Sequence, residues 1–260
     1  MVSHSSKFLL HQVHAIGHGS DQLGDQHLVR VQAEADQTPF CVVATLGTTS
    51  STSVDPADAI AEICEREKLW LHVDAAYGGA AALAEEFRPL FRGWERADSI
   101  VVNPHKWMFT PFDASLLLFR RPEAYRDAFR LVPEYLKTPE GEVARNFNEY
   151  GIPLGRRFRA LKMWMMIRWF GAEGMAARVR EHCRQAREFA SWIDGDPDWE
   201  RLAPVPFATV CFRSRPSGLR GREGEPDVAA ELDRANETIL DRGNRTGEAS
   251  LSHTKPAGRY

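Results

Sequence analysis

A carboxylate and a lysine, each within a short motif, are the residues of this sequence best suited to covalent chemistry. Asp74 stands in HVDAAYGG and Lys106 stands in NPHKW. A lysine amine can form a Schiff base with a carbonyl compound, and a carboxylate can keep a pyridine nitrogen protonated. Together the two side chains are the pair that pyridoxal phosphate chemistry requires.

Each motif follows a short apolar run that has the character of a buried strand. Leu69–Val73 and Ser99–Val102 are short, rich in β-branched residues and bounded by strand-breaking residues. Ligands of an open α/β sheet lie beyond the carboxyl ends of its parallel strands. We therefore expect Asp74 and Lys106 to face a common crevice from neighbouring strand ends. A single lysine after a strand would otherwise be an ordinary surface residue.

A third predicted strand, Phe40–Leu46, precedes the hydroxyl-rich turn at 47–51. Thr49 in this turn could contact a polar cofactor or belong to an ordinary Ser/Thr turn. Asp55 and Pro56 have the residue types of a helix N-cap and a first helical position. The apolar residues that follow repeat at helical spacing, namely Ala57, Ile60, Ala61 and Cys64. This alternation of strand and helix predicts a parallel sheet with right-handed crossovers.

Further elements are predicted downstream of Lys106. They are a buried strand at Ala114–Phe119, a loop at 130–151, helices at Arg156–Phe170, Gly171–Trp192 and Asp227–Asp241, and a strand at Phe207–Phe212. Loops as long as the one at 130–151 often act as lids over a site. Tyr135 in this loop carries a phenol that could donate a proton, or it could anchor the loop by packing.

The bulk composition narrows the function classes. The 260 residues suit one large or two ordinary domains, and 43% hydrophobic residues suffice for a core. A formal net charge of −3 gives no global basic field, so neither nucleic acid nor a membrane is an expected partner. No apolar run approaches ~18 residues, so no membrane-spanning helix is expected. The start, MVSHSSKFLL, lacks the apolar core and cleavage site of a signal peptide, which favours a cytoplasmic protein.

Cysteine and histidine give little sign of a metal site. The four cysteines are widely scattered and predict free thiols in a reducing compartment: Cys41, Cys64, Cys183 and Cys211. His11, His14 and His18 could line one helical face and bind a metal. No zinc-ligand spacing accompanies them, and the glycines nearby would break that helix, so no metal is expected.

Five motifs, in order, resemble one enzyme family. ATLGTTS, HVDAAYGG, NPHKW, PEYL and PLGRRFRALKMW are similar to the group II pyridoxal-phosphate-dependent amino-acid decarboxylases of the aromatic-L-amino-acid decarboxylase type. The resemblance is continuous over residues 39–170 and looser on both flanks. It implies an α/β fold of the fold-type I transferase-like class, with a mostly parallel sheet and helices on both faces. Residues 1–171 would form part of the large cofactor-binding domain, and residues 172–260 part of a smaller α+β C-terminal domain.

The resemblance also implies roles for three catalytic residues. Lys106 would hold pyridoxal 5'-phosphate covalently, and Asp74 would keep the ring nitrogen protonated. Tyr135 would return a proton to the substrate Cα. The reaction implied by the resemblance is decarboxylation of an L-amino acid with an aromatic side chain to the amine and CO₂.

Five further residues are implied as cofactor contacts. Ala76 would lie against one face of the ring and His4 would stack on the other, although His4 could also be a terminal histidine without a role. Asn103 and His105 would help to hold the phosphate, and Thr49 would be a further contact.

Other functions stay open beside amine formation. One is an aldehyde synthase and another is a decarboxylase of acidic amino acids on the same scaffold. A third is a relative with little activity, because the chain resembles the family without its upstream phosphate loop, a stretch near Val31–Pro39 and a closing strand and helix after Tyr260. The implied partners are a small amino-acid substrate and a second copy of the chain.

Overall fold

The computed structural model describes residues 11–12, 39–130 and 146–254. The chain divides into two compact units. The first comprises Met1–Leu46 and Asp55–Met175, and the second comprises Gly47–Val54 and Ala176–Tyr260. Among the described residues, no helix is long and apolar enough to cross a membrane.

The first unit is built on a five-stranded sheet whose spatial order follows the chain. Its strands are β1 His11–Gln12, β2 Cys41–Thr45, β3 Trp70–Asp74, β4 Ser99–Val102 and β5 Leu116–Phe119. The first four strands run parallel, and β5 runs antiparallel to β4. The predicted α/β class with a mostly parallel sheet is therefore confirmed.

Helices connect and follow these strands. The α-helices are α1 Ala57–Glu67, α2 Pro104–Trp107, α3 Pro122–Phe129, α4 Arg159–Gly195 and α5 Pro226–Thr246. Short 3-10 helices lie at Gly78–Leu83, Glu85–Phe91, Trp94–Arg96, Phe147–Tyr150 and Ser217–Leu219. Helix α4 is interrupted at Gly171, whose φ of 65° and ψ of 172° are not helical, so the helix has two segments as the sequence predicts.

The core of the first unit lies between the central strands and α1. Ala44 and Val73 are fully buried, and Leu71 is 2% exposed. The helix buries the predicted apolar residues, which are Ala57, Ile60, Ala61 and Cys64. Each large aliphatic side chain buried in this way stabilises the fold by about 1.5–3 kcal/mol.

Two predictions in this unit are wrong in detail. Asp55 does not cap α1, because Pro56 occupies the N-cap position and the helix has no side-chain cap there. The Asp55 carboxylate instead accepts the Thr45 N–H at 2.7 Å, inside the protein. The strand predicted as buried at Ala114–Phe119 begins at Leu116 and lies at the end of the sheet order, where Leu118 is 55% exposed.

The second unit contains an antiparallel pair of strands, β6 Trp199–Arg201 and β7 Phe212–Ser214, together with helix α5. The predicted strand at Phe207–Phe212 is misplaced, because only its last residue belongs to β7. Asn236 on α5 is buried, accepts the Ser214 N–H at 2.8 Å and donates to the Ser214 carbonyl at 3.1 Å. These bonds join α5 to the edge of the strand pair.

Candidate functional site

The carboxyl edge of the sheet holds the predicted pair of reactive residues. Asp74 is the last residue of β3, and Lys106 lies on α2, which begins directly after β4 and Asn103. Strands β3 and β4 are neighbours and parallel, with Asp74 aligned to Val101. Both side chains thus follow adjacent strand ends, as the sequence predicts. Lys106 is exposed, so its amine is accessible.

Main-chain hydrogen bonds fix the backbone around Asp74. Its Oδ1 accepts the Ala76 N–H at 3.0 Å, and its carbonyl oxygen accepts the Leu46 N–H at 2.8 Å. Ala75 is fully buried and donates its N–H to the Val101 carbonyl at 3.0 Å. The carboxylate is therefore held at a defined position on the edge.

The two motifs are packed directly against each other. Asn103 donates its N–H to the Ala76 carbonyl at 3.0 Å. Tyr77 and Trp107 stack with ring centroids 4.7 Å apart and planes 7° apart. A Cβ on Gly79 would lie 2.8 Å from Val102 Cγ2, so this contact leaves no room for a larger residue. Sequence reasoning did not single out the stacked rings, although both flank the predicted site residues.

Asn103 and His105 are held by a loop that sequence reasoning also missed. Ser115 Oγ donates to Asn103 Oδ1 at 2.6 Å. The Ala114 N–H lies 3.1 Å from His105 Nδ1, which also contacts the Ala114 carbonyl oxygen. No local pattern links residues 103–105 to 114–115, so only the folded chain could reveal these contacts.

Three other predicted site residues lie outside the described part of the first unit. His4 and Tyr135 lie outside the described residues, as do His14 and His18. Thr49 belongs to the second unit, where it is exposed in a turn. Hydroxyl contacts close that turn at Thr48, Ser51 and Ser53, and they are those of a Ser/Thr turn.

A partly buried polar group lies further back along the same strands. His72 Nδ1 is 2.8 Å from Ser99 Oγ, and Trp70 Nε1 donates to the same oxygen at 2.9 Å. Burial lowers the pKa of His72, with Asp74 acting in the opposite direction. The imidazole is therefore neutral at neutral pH, and it serves to join β3 to β4.

A cavity of about 900 Å³ opens near this group, at the amino end of the parallel strands. Its lining includes His72 and Cys64 but neither Asp74 nor Lys106. Burial raises the pKa of Cys64 to about 12, so this thiol stays protonated and unreactive. None of the four cysteines, all of which lie within the described residues, forms a disulfide, as predicted.

Residues 12–215 match the family described as "Pyridoxal-dependent decarboxylase conserved domain". Among curated proteins, the chain is 38% identical to phenylacetaldehyde synthase of Arabidopsis thaliana over 236 residues, which are 90% of this chain and 46% of that protein. It is 39% identical to tryptophan decarboxylase 1 of Oryza sativa subsp. japonica, covering 90% of this chain and 45% of the relative. It is 40% identical to aromatic-L-amino-acid decarboxylase of Sus scrofa, covering 85% and 43%.

Solved structures also resemble this chain. The crystal structure of Oryza sativa TDC with PLP and tryptamine matches with a TM-score of 0.83 and 36% identity, over 93% of this chain and 49% of that one. Mouse CSAD in apo form matches with a TM-score of 0.79 and 29% identity, over 90% and 49%. The chain thus spans about half the length of the proteins it matches. The matched region contains both Asp74 and Lys106.

Proposed function

Because this chain belongs to the pyridoxal-dependent decarboxylase family, we propose that it decarboxylates an aromatic L-amino acid to the amine and CO₂, with pyridoxal 5'-phosphate as cofactor. The observation that carries the proposal is the placement of Asp74 and Lys106 after adjacent parallel strands. The names of the relatives, which include tryptophan and tyrosine decarboxylases, favour an aromatic substrate.

The residues at the sheet edge fit this cofactor chemically. Lys106 offers an exposed amine for covalent attachment, and Asp74 offers a carboxylate for the ring nitrogen. The small side chain of Ala76 would let a flat ring approach the backbone. Asn103 Oδ1 accepts the Ser115 hydroxyl, which leaves the Asn103 side-chain N–H groups to donate to a phosphate. His105 would donate to the same phosphate from Nε2, the ring nitrogen opposite the one beside Ala114.

When bound, the cofactor's ring accepts the electron pair that the departing CO₂ leaves behind. Asp74 would support this by keeping the proton on the ring nitrogen. Lys106 would hold the cofactor covalently through its amine. Contacts with the substrate would have to hold the bond between its Cα and its carboxylate perpendicular to the ring. By family resemblance, Tyr135 would return a proton to Cα, His4 would stack on the ring and Thr49 would add a contact.

The same proposal covers the organisation of the chain. Residues 1–171 would belong to the large cofactor-binding domain and residues 172–260 to the small C-terminal domain. The protein would act in the cytoplasm.

An aldehyde synthase is the second candidate, favoured by the 38% identity to phenylacetaldehyde synthase. That reaction consumes dioxygen and water, and it yields an aldehyde, CO₂, ammonia and hydrogen peroxide. The amine reaction consumes no dioxygen. Product analysis therefore separates the two candidates.

A second copy of the chain is the proposed protein partner. Large apolar side chains are exposed before α4 and along its first segment. The most exposed are Ile152 at 91%, Trp169 at 82%, Phe158 at 77% and Phe147 at 71%. Apolar surface concentrated in this way is typical of a protein interface.

The proposal is tested by giving the purified chain pyridoxal 5'-phosphate, reducing with borohydride and mapping the modified peptide. We expect the label on Lys106, and we expect tryptamine or tyramine from L-tryptophan or L-tyrosine. Lys106→Ala should lose both the label and the product, whereas Lys162→Ala should keep both. A label on Lys162, or equal turnover by Lys106→Ala, would overturn the site. Cofactor uptake without any product would instead favour the inactive relative.

A further inference from the structure

The loop Phe112–Ser115, hereafter the clasp, contacts the side chains of Asn103 and His105, which lie shortly before Lys106. Its Ser115 hydroxyl donates to Asn103 Oδ1, and its Ala114 main chain contacts His105 Nδ1. The main-chain N–H of His105 in turn donates to the Ala114 carbonyl oxygen at 3.3 Å. These contacts fix the rotation of the imidazole and of the amide. The Phe112 ring adds an edge contact to His105, with centroids 5.0 Å apart.

The clasp is itself held by an ion pair to a different element. Asp113 Oδ2 lies 3.0 Å from Arg159 Nε and 2.9 Å from an Arg159 terminal nitrogen. Arg159 is the first residue of α4. The hydrogen bond from its guanidinium lowers the pKa of Asp113, which is therefore ionised at neutral pH.

The exposure of this pair argues against a role in general stability. Each of its side chains is 39% exposed, and ion pairs so accessible to water contribute little to folding. Its position is distinctive for another reason. Asp113 stands between Phe112 and Ala114, so a shift of its carboxylate moves the main chain that contacts His105.

We propose that Asp113 and Arg159 are positioning residues that act through the clasp on Asn103 and His105. The ion pair holds the clasp, and the clasp orients the two side chains that bind the cofactor phosphate. This rests on the proposed function, since it assigns the phosphate to Asn103 and His105. Neither member of the ion pair touches the cofactor in this arrangement.

The test compares Asp113→Asn, Arg159→Gln and their double variant with Arg168→Gln, an exposed arginine on the same helix segment. The dissociation constant for pyridoxal 5'-phosphate is measured by quenching of tryptophan fluorescence. We expect each single variant to weaken binding by about two- to fivefold, because an exposed ion pair contributes at most about 1 kcal/mol. The double variant should bind no more weakly than either single variant. Arg168→Gln should bind as the unaltered chain does.

A second measurement needs no cofactor. The ¹⁵N NMR signals of the His105 imidazole report its hydrogen bonding and tautomer. We expect them to change in Asp113→Asn and Arg159→Gln, to stay unchanged in Arg168→Gln, and to be largely restored in Arg159→Lys, which keeps the charge. A general loss of structure would instead change signals throughout the protein and would not be restored by lysine.

A third arm asks whether the ion pair acts through its proposed targets. In a chain carrying Asn103→Ala and His105→Ala, the added Arg159→Gln should not weaken cofactor binding further. A further loss there as large as in the single variant, or unchanged His105 signals in the single variants, would overturn the positioning role. If the unaltered chain binds no pyridoxal phosphate, the proposed function fails, while the NMR result still decides the link from Arg159 to His105.

Discussion

Asp74 accepts the Ala76 N–H through Oδ1 and is otherwise placed by its position at the end of β3. An asparagine there could keep this hydrogen bond, because its amide oxygen accepts as the carboxylate does. What it would lose is the negative charge proposed to hold the ring nitrogen protonated.

We therefore predict that Asp74→Asn keeps the fold and the covalent cofactor but loses turnover by orders of magnitude. Absorbance of the bound cofactor and the rate of amine release measure the two properties separately. Asp241→Asn, an exposed change on α5, is the control and should behave as the unaltered chain. Near-normal kcat in Asp74→Asn would contradict the proposed role of the charge.

Tyr135 lies outside the described residues, and its role is a prediction from the resemblance. If its phenol returns the proton to Cα, Tyr135→Phe should still release CO₂ while the amine yield falls. In the presence of dioxygen the product should then shift towards the aldehyde, with ammonia and hydrogen peroxide. Chromatography of the products measures this shift, with Tyr150→Phe as the control. An unchanged amine yield would leave Tyr135 with a packing role only.

The site residues could be predicted from the sequence where a general rule relates a residue's place in the sequence to its place in the fold. The rule that ligands lie beyond parallel strand ends located Asp74 and Lys106 together from two apolar runs. No comparable rule links Asn103 to Ser115 or Asp113 to Arg159, because these contacts join segments distant in the chain. The residues that hold the site in place could therefore not be predicted from the sequence and were identified only in the structure.

At the scale of elements, the spacing of apolar residues predicted the structure correctly where a helix buries one of its faces. The buried face of α1 follows the apolar spacing of its sequence. The edge position of the strand that ends at Phe119 could not be predicted, because the apolar sequence LLLF suits a central strand and an edge strand equally. Asp55 shows a different limit: a carboxylate beside a helix start could cap it, but the buried Thr45 N–H is its partner.

Gly93 is the glycine on which the packing of one element depends. It has φ of +94° and precedes the 3-10 helix Trp94–Arg96. A Cβ there would collide with Asp58 Cα and would lie 2.7 Å from the Ala57 carbonyl carbon, both in the backbone of α1. Arg96 in this 3-10 helix lies 2.9 Å from Asp58, so the turn positions an ion pair as well as the backbone contact with α1.

We predict that Gly93→Ala lowers the free energy of unfolding by about 2–5 kcal/mol. About 1–2 kcal/mol comes from the left-handed backbone and the rest from the clash with α1. Chemical denaturation measures the loss. Gly155→Ala is the matched control, since nothing lies within 4 Å of its added Cβ. Equal stability of the two variants would contradict this account of the turn.

At the scale of the whole molecule, the first segment of α4 carries an exposed apolar stripe. Leu161, Met165 and Trp169 recur at a spacing of four residues, and they are 47%, 57% and 82% exposed. Residues so spaced lie on one side of a helix. A second copy of the chain could bury this stripe, as proposed above.

We predict that the chain associates with itself at micromolar concentration and that Met165→Lys with Trp169→Lys weakens this association. Burying two large apolar side chains contributes about 3–6 kcal/mol, so the dissociation constant should rise more than about a hundredfold. Sedimentation equilibrium measures that constant over a range of concentrations. Trp192→Lys is the matched control, because Trp192 is 63% exposed on the second segment of the same helix. A chain that stays monomeric at all concentrations, or a double variant that associates as tightly as the control, would show that a second copy does not cover the stripe.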